Sequence, residues 1–148
     1  MPREVRTSCT ATTVCPNDRG SLIAVDTSAL MAIALGEARA AACVSVLEAE
    51  PELVISAGTV AEALIVAGRR NVGDAMAKLL DGFGLDVVTV TPAVARRVAD
   101  AYGQWGRGVH PAGFNFGDCF AYALAKEHSC PLLFVGEGFS KTDLTSAL

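Results

Sequence analysis

Four short apolar runs recur along the chain, at Leu22–Val25, Leu53–Ser56, Leu85–Val90 and Leu132–Val135, and the segments between them carry helical rather than alternating periodicity. Strands that are apolar at consecutive positions suit a sheet covered on both faces. Strands separated by helices pair in parallel, because a parallel pair needs a long crossover, and that crossover is right-handed. The pattern therefore predicts an α/β protein with a central parallel sheet, in which ligands sit outside the carboxyl ends of the strands.

Between the runs, Asp26-Thr-Ser28 has the character of a helix start, and an alanine-rich stretch follows to about Glu50, with Gly36 a candidate break. A helix is expected from Thr59 to about Arg69 and another from Val72 to Leu80. Pro92 suits the first turn of a helix reaching Trp105. Gly103, Gly106, Gly108, Pro111 and Gly113 mark a loop, and a helix from Phe116 to about His128 leads to the last run. No internal repeat is present. Residues 1–20 are polar and lack either period, so they are expected to form a disordered extension to a domain spanning 21–148.

A chain of 148 residues, 51% of them apolar, can bury one core without disulfides or a structural metal. Its five cysteines are odd in number and include no C-x-x-C pair, which points to a reducing compartment. Neither a secretory signal nor a run approaching the ~20 apolar residues of a membrane span is visible. These features together predict a cytoplasmic protein. The net charge of −4 lacks the basic footprint of most nucleic-acid-binding proteins. A site that holds divalent cations, however, needs its own excess of carboxylates.

Asp26 directly follows the first run, at the carboxyl edge of the sheet, where it also suits the cap of the next helix. Glu62 lies three residues after Thr59, the spacing of a capping box, and after the second run it too points to that edge. Asp118 opens the helix that feeds the last run; Asn115 is placed to cap it, and Phe114 and Cys119 have the spacing of a hydrophobic staple. Glu137 and Asp143 follow the fourth run, where solvated turn acids are common. Each acid singly has an adequate structural explanation, but their recurrence at one edge does not. Carboxylates ~5 Å apart repel by ~3 kcal/mol per pair at an effective dielectric near ~20, and cations are the simplest compensation. Oxygen donors select Mg²⁺ or Mn²⁺, and neither His110 nor His128 has a neighbour at zinc-ligand spacing. Two such ions could activate water and stabilise the leaving oxygen of a phosphodiester.

Leu22-Ile-Ala-Val-Asp-Thr-Ser-Ala-Leu30, Ile55-Ser-Ala-Gly-Thr-Val-Ala-Glu62, Asn115-Phe-Gly-Asp-Cys-Phe-Ala-Tyr-Ala-Leu-Ala125 and Leu132-Leu-Phe-Val-Gly136 together resemble the PIN-domain ribonucleases of the VapC toxin type. The likeness runs from Leu22 to the end. It implies a PIN-like three-layer α/β/α sandwich with four to five parallel strands and Mg²⁺- or Mn²⁺-dependent endoribonuclease activity. It further implies a homodimer and inhibition by a small VapB-like antitoxin, as in type II toxin–antitoxin systems. By position, Asp26, Glu62 and Asp118 match the family's first three catalytic and metal-binding acids, with Thr27 and Asn115 as hydrogen-bonding groups behind them. The fourth position departs from the family pattern Gly-Asp-Asp-Phe, reading Gly136-Glu-Gly-Phe139 here. Either Glu137 substitutes as a catalytic acid or Asp143 completes the metal site. The family commonly begins at the first strand, so translation is expected to start near Leu22.

Arg107, His110 and Lys141 sit nearest the predicted edge and are the expected RNA contacts. The pairs Arg69-Arg70 and Arg96-Arg97 read as solvated helix faces. Tyr102 and Trp105, at helical spacing in an apolar segment, are expected in the core or a dimer contact. Two other readings stay open: an impaired PIN domain that binds RNA or antitoxin without cutting, and a magnesium-dependent phosphotransfer protein phosphorylated on Asp26. The latter lacks a suitably placed lysine, since Lys78 and Lys126 fall inside helices.

Overall fold

A computed structural model describes residues 21–148; the expectations for residues 1–20 lie outside them. Among the described residues, six helices and four strands follow in the order β1 (Leu22–Val25), α1 (Thr27–Ala34), α2 (Ala40–Ala49), β2 (Glu52–Ser56), α3 (Ala57–Arg69), α4 (Gly73–Gly82), β3 (Asp86–Val88), α5 (Pro92–Trp105), α6 (Phe116–His128) and β4 (Leu132–Leu133). A short 3₁₀ turn covers Phe139–Lys141. The sheet is wholly parallel, in the order β3-β2-β1-β4, so β1 and β2 are central and the chain switches direction between β1 and β4.

Both faces of the sheet are covered, as continuous apolar runs require. Ala24, Val54 and Leu132 face one cluster, packed with Val98 and Trp105 from α5, Phe114 from the connection and Cys119 and Tyr122 from α6. Ile23, Val25, Leu53, Ile55 and Leu133 face the other, against α1 to α4. The result is the expected three-layer α/β/α sandwich. A fifth strand is reduced to one bridge, where Ser146 pairs beside Leu132.

The helical stretch after β1 does break, and Gly36 supplies the left-handed φ of +66° that turns the chain from α1 to α2. The third and fourth strands are shorter than their apolar runs, and Gly103 lies inside α5 rather than in the loop. One cap is corrected: α3 begins at Ala57, and Ser56 caps it by accepting from the Gly58 amide at 3.1 Å. Thr59 is therefore inside the helix, fully buried, and forms no capping box with Glu62. Phe114 and Cys119 are buried together as the predicted staple requires, and Trp105 joins the core. Tyr102 does not; it stands 42% exposed on α5. Cys43, Cys119 and Cys130 are buried free thiols. No helix among the described residues is long and apolar enough to cross a membrane.

Candidate active site

Asp26 leaves the carboxyl end of β1 and caps α1, so the strand-end position and the helix cap expected of this residue hold together. Its Oδ2 accepts from the Ser28 amide at 2.9 Å and the Ser28 hydroxyl at 2.7 Å. The same hydroxyl accepts from the Val135 amide at 3.0 Å, just beyond β4. The Asp26 amide donates to Leu133 O at 3.0 Å, so the carboxyl ends of β1 and β4 are tied at the switch point. Asp26 Oδ1 is buried and has no hydrogen-bond partner among the described residues. Burial pushes the carboxyl up from 3.8 to about 7; the Ser28 bonds oppose the shift, and the nearby Asp118 and Glu62 add to it.

Glu62, on the second turn of α3, is half-buried, and its Oε1 accepts from the Thr27 hydroxyl at 2.7 Å. Burial raises its carboxyl above the usual range, the Thr27 bond lowers it and Asp118 raises it further. Thr27 is the first residue of α1, so one hydroxyl joins two helices that follow neighbouring strands.

Asp118 lies at the N-terminal turn of α6 in a reciprocal capping box. Its amide donates to Asn115 Oδ1 at 2.8 Å, and its Oδ2 accepts from the Asn115 amide at 2.9 Å. That pairing fixes the side chain. Burial raises its carboxyl, while the Asn115 amide and the positive charge of Arg107 lower it. Between Asn115 and Asp118, Gly117 passes so close to α3 that a Cβ there would overlap the Glu62 carboxylate. The close approach of the two helices thus brings the second and third acids together.

The remaining sequence candidates lie in different surroundings. Glu137 is exposed on the turn after β4. Asp143 is committed elsewhere: Oδ1 accepts from the Tyr122 hydroxyl at 2.8 Å and Oδ2 from Lys126 Nζ at 2.9 Å, which holds its carboxyl below the usual range. His110 is half-buried, its Nδ1 accepting from the Ala112 amide at 3.0 Å and its ring edge-on to Trp105. Arg107 and Lys141 are exposed, as are both arginine pairs, of which Arg97 meets Glu127 at 3.3 Å.

As they stand, no three His, Cys, Asp or Glu side chains among the described residues close on a common point tightly enough to hold an ion. Yet Asp26, Glu62 and Asp118 feel one another's charge, each carboxyl is raised by burial, and Asp26 Oδ1 lacks a partner. An oxygen-only, mutually repelling set with one buried oxygen left unpartnered fits a hard divalent cation. Sequence reasoning missed Ser28 as the group that orients Asp26; its signal was the Asp-Thr-Ser helix start, in which a hydroxyl two residues after an acid can serve as its donor. It also missed Gly117, whose role depends on the neighbouring helix.

A parallel α/β/α sandwich with three acids at the carboxyl side of its sheet, one of them at the strand-order switch point, defines a class of α/β proteins with an acidic strand-end site. A family model described as "PIN domain" matches residues 23–144. Ribonuclease VapC42 of Mycobacterium tuberculosis is 40% identical over 127 residues, covering 83% of this chain and 97% of that protein. The crystal structure of Mycobacterium tuberculosis VapC20, a sarcin-ricin loop cleaving toxin, superposes with a TM-score of 0.68 at 19% identity, over 83% of this chain and 96% of the other. A toxin–antitoxin complex from Klebsiella pneumoniae contains a chain that matches with a TM-score of 0.61 at 17% identity, over 86% and 98%. The chain belongs to the PIN-domain family, in its VapC ribonuclease branch.

Proposed function

We propose that this protein is the toxin of a type II toxin–antitoxin pair, an Mg²⁺- or Mn²⁺-dependent endoribonuclease that works in the cytoplasm as a homodimer and is silenced by a small VapB-like antitoxin. Kinship with proteins named VapC ribonucleases supports the choice of RNA and of the toxin class. The observation that carries the chemistry is the buried, unpartnered Oδ1 of Asp26, a carboxyl raised by burial and further by the nearby Asp118 and Glu62.

In this reading Asp26, Glu62 and Asp118 hold the ion, which when bound supplies Lewis acidity to a water and to the phosphodiester. Ser28 keeps Asp26 in one rotamer, Thr27 does the same for Glu62, and Asn115 for Asp118, so that the oxygens are oriented before substrate arrives. Glu137, on the turn after β4, is the candidate for the fourth acid; Asp143 has both oxygens engaged by Tyr122 and Lys126. Arg107 and Lys141 offer charge to the phosphates, with His110 bracing the loop between α5 and α6.

The test is cleavage of a pool of single-stranded RNA by the purified full chain with Mg²⁺ or Mn²⁺, beside Asp26→Asn and Asp118→Asn. Cleavage by the wild type and its loss in both variants, with unchanged far-ultraviolet circular dichroism, is the expected result. Full activity in either variant would refute the assignment. Binding of RNA and Mn²⁺ without any cleavage by the wild type would instead identify an impaired domain, the reading that the Gly136-Glu-Gly138 departure favours.

A further inference from the structure

Beside the three carboxyls the surface carries a large apolar ring that neither the core nor the chemistry uses. Phe116, the first residue of α6, is 71% exposed although it lies between Asn115 and Asp118 in the chain. Phe120 meets it at right angles, with ring centroids 4.9 Å apart, and so steadies the ring while leaving most of it open. On one side of the ring is a cleft of about 380 Å³ lined by Tyr102, Arg107 and Asn115. On the other is a cleft of about 320 Å³ in which Glu62 and Gly117 share the wall with Ile65 and Phe120. The ring is thus a ridge next to two of the site's acids, with an exposed cation and a 42% exposed tyrosine on its far flank.

Leaving most of a phenylalanine ring in water forgoes the gain of burying it, so an occupant that covers it gains by doing so. The occupant must bring a flat apolar face and, a few ångströms away, negative charge for Arg107. An unpaired nucleotide has both: its base stacks on aromatic rings whatever its identity, and its phosphate pairs with arginine.

We infer that Phe116 is the platform on which a base of the single-stranded RNA substrate stacks next to the cleaved phosphodiester, with Arg107 meeting the adjoining phosphate and Tyr102 closing the outer wall. This rests on the ribonuclease reading above. It makes Phe116 a positioning residue, one that sets where along a strand the scissile bond falls without touching the reacting atoms.

The experiment titrates single-stranded oligoribonucleotides carrying 2-aminopurine at successive positions into the full chain, in an Asp26→Asn background that prevents cutting. It compares Phe116 with Phe116→Ala and Phe116→Tyr, and in parallel follows cleavage of the same oligonucleotides by chains that retain Asp26. Stacking predicts that the fluorescence is quenched at one position only, that Phe116→Ala abolishes the quench and weakens binding on the order of ten-fold or more, and that Phe116→Tyr retains both. Because the ring is exposed, the melting temperature should be unchanged in both variants, and the tyrosine variant preserves the test if the alanine variant fails to fold. Cleavage that proceeds with quench and affinity indifferent to Phe116→Ala would overturn the platform and leave the ribonuclease reading standing. A position-specific, Phe116-dependent quench without cleavage would do the reverse. Neither binding nor cleavage would overturn both. If Phe116→Ala instead converts a dimer to monomers with RNA affinity unchanged, the ring belongs to a contact between copies and the inference fails.

Discussion

Thr27 and Glu62, thirty-five positions apart in the chain, meet at 2.7 Å, the threonine hydroxyl donating to Glu62 Oε1. The bond crosses from the first residue of α1 to the second turn of α3, and so sets the Glu62 carboxylate relative to Asp26, the residue just before Thr27. Thr27→Val keeps the branched shape and removes the donor. A half-buried carboxylate that loses its partner destabilises the fold by about 1–2 kcal/mol, which urea denaturation resolves as a lower midpoint at unchanged slope. Cleavage is expected to fall about ten-fold, since the acid remains but its orientation is lost. Thr27→Ser, which restores the hydroxyl, should recover most of both quantities.

The alternation of apolar runs and helical segments made the parallel sheet legible, and α5 and α6 occupy the ranges their Pro92 start and Asn115–Asp118 capping pattern announced. The acids were visible too, because a strand end followed by a carboxylate is a local pattern. Less accessible was the start of α3: Ser56 and Thr59 are both acceptable caps, and the choice fell to Ser56 because Thr59 is needed in the core. Nor could local pattern reveal that Asp143 pairs with Tyr122 and Lys126, since helical register brings those two together only once α6 has docked. Phe116 escaped for a similar reason: whether an aromatic at the first position of a helix is buried or bare is decided by the neighbouring elements.

Asp26 supplies a prediction about pH. Its carboxyl, ordinarily near 3.8, is pushed up to about 7, so between these values the folded chain holds a proton that the unfolded chain has released. Unfolding therefore loses a proton, and stability falls as pH rises through this interval, levelling off above about 7. Glu62 and Asp118, also raised, act in the same direction, while Arg107 opposes Asp118. The Asp26 displacement alone corresponds to a ceiling of about 4 kcal/mol. In chelator, the melting temperature should drop from pH 5 to pH 8; Asp26→Asn should flatten the drop and be the more stable protein at pH 8. Adding Mn²⁺ at pH 8 should restore the wild type and leave Asp26→Asn nearly unmoved.

Gly117 and Gly58 both lie where α3 and α6 come close, but they should respond differently to a methyl group. A Cβ at Gly117 would overlap the Glu62 carboxylate, the far end of a flexible side chain that can move aside. Gly117→Ala is therefore expected to melt within a few degrees of wild type while losing cleavage by about ten-fold or more, because Glu62 has been displaced from Thr27. A Cβ at Gly58 would overlap the Phe120 ring, which sits between the helices and has less room to yield. Gly58→Ala should cost about 1–3 kcal/mol of stability, the usual range for overpacking. Paired thermal melts and cleavage rates distinguish the two, and a strongly destabilised Gly117→Ala with normal specific activity would contradict the close approach described for Glu62.

The fourth acid can be assigned by the same combination of binding and stability. Asp143 shares its oxygens between Tyr122 and Lys126, with the ion pair about half exposed on both sides. Such pairs contribute little, so Asp143→Asn should lower stability by at most ~1 kcal/mol. With its carboxylate already engaged, the substitution should leave Mn²⁺ affinity and cleavage near wild type. Glu137 stands on the turn after β4, whose end is anchored to Asp26 through Ser28 and Val135. On the reading that Glu137 is the fourth acid, Glu137→Gln should weaken Mn²⁺ binding several-fold in calorimetry, slow cleavage correspondingly and leave the melting temperature of the metal-free protein unchanged. The opposite pattern, with metal affinity lost in Asp143→Asn and kept in Glu137→Gln, would mean that Asp143 leaves Lys126 when the cation arrives and that the segment after β4 rearranges on binding.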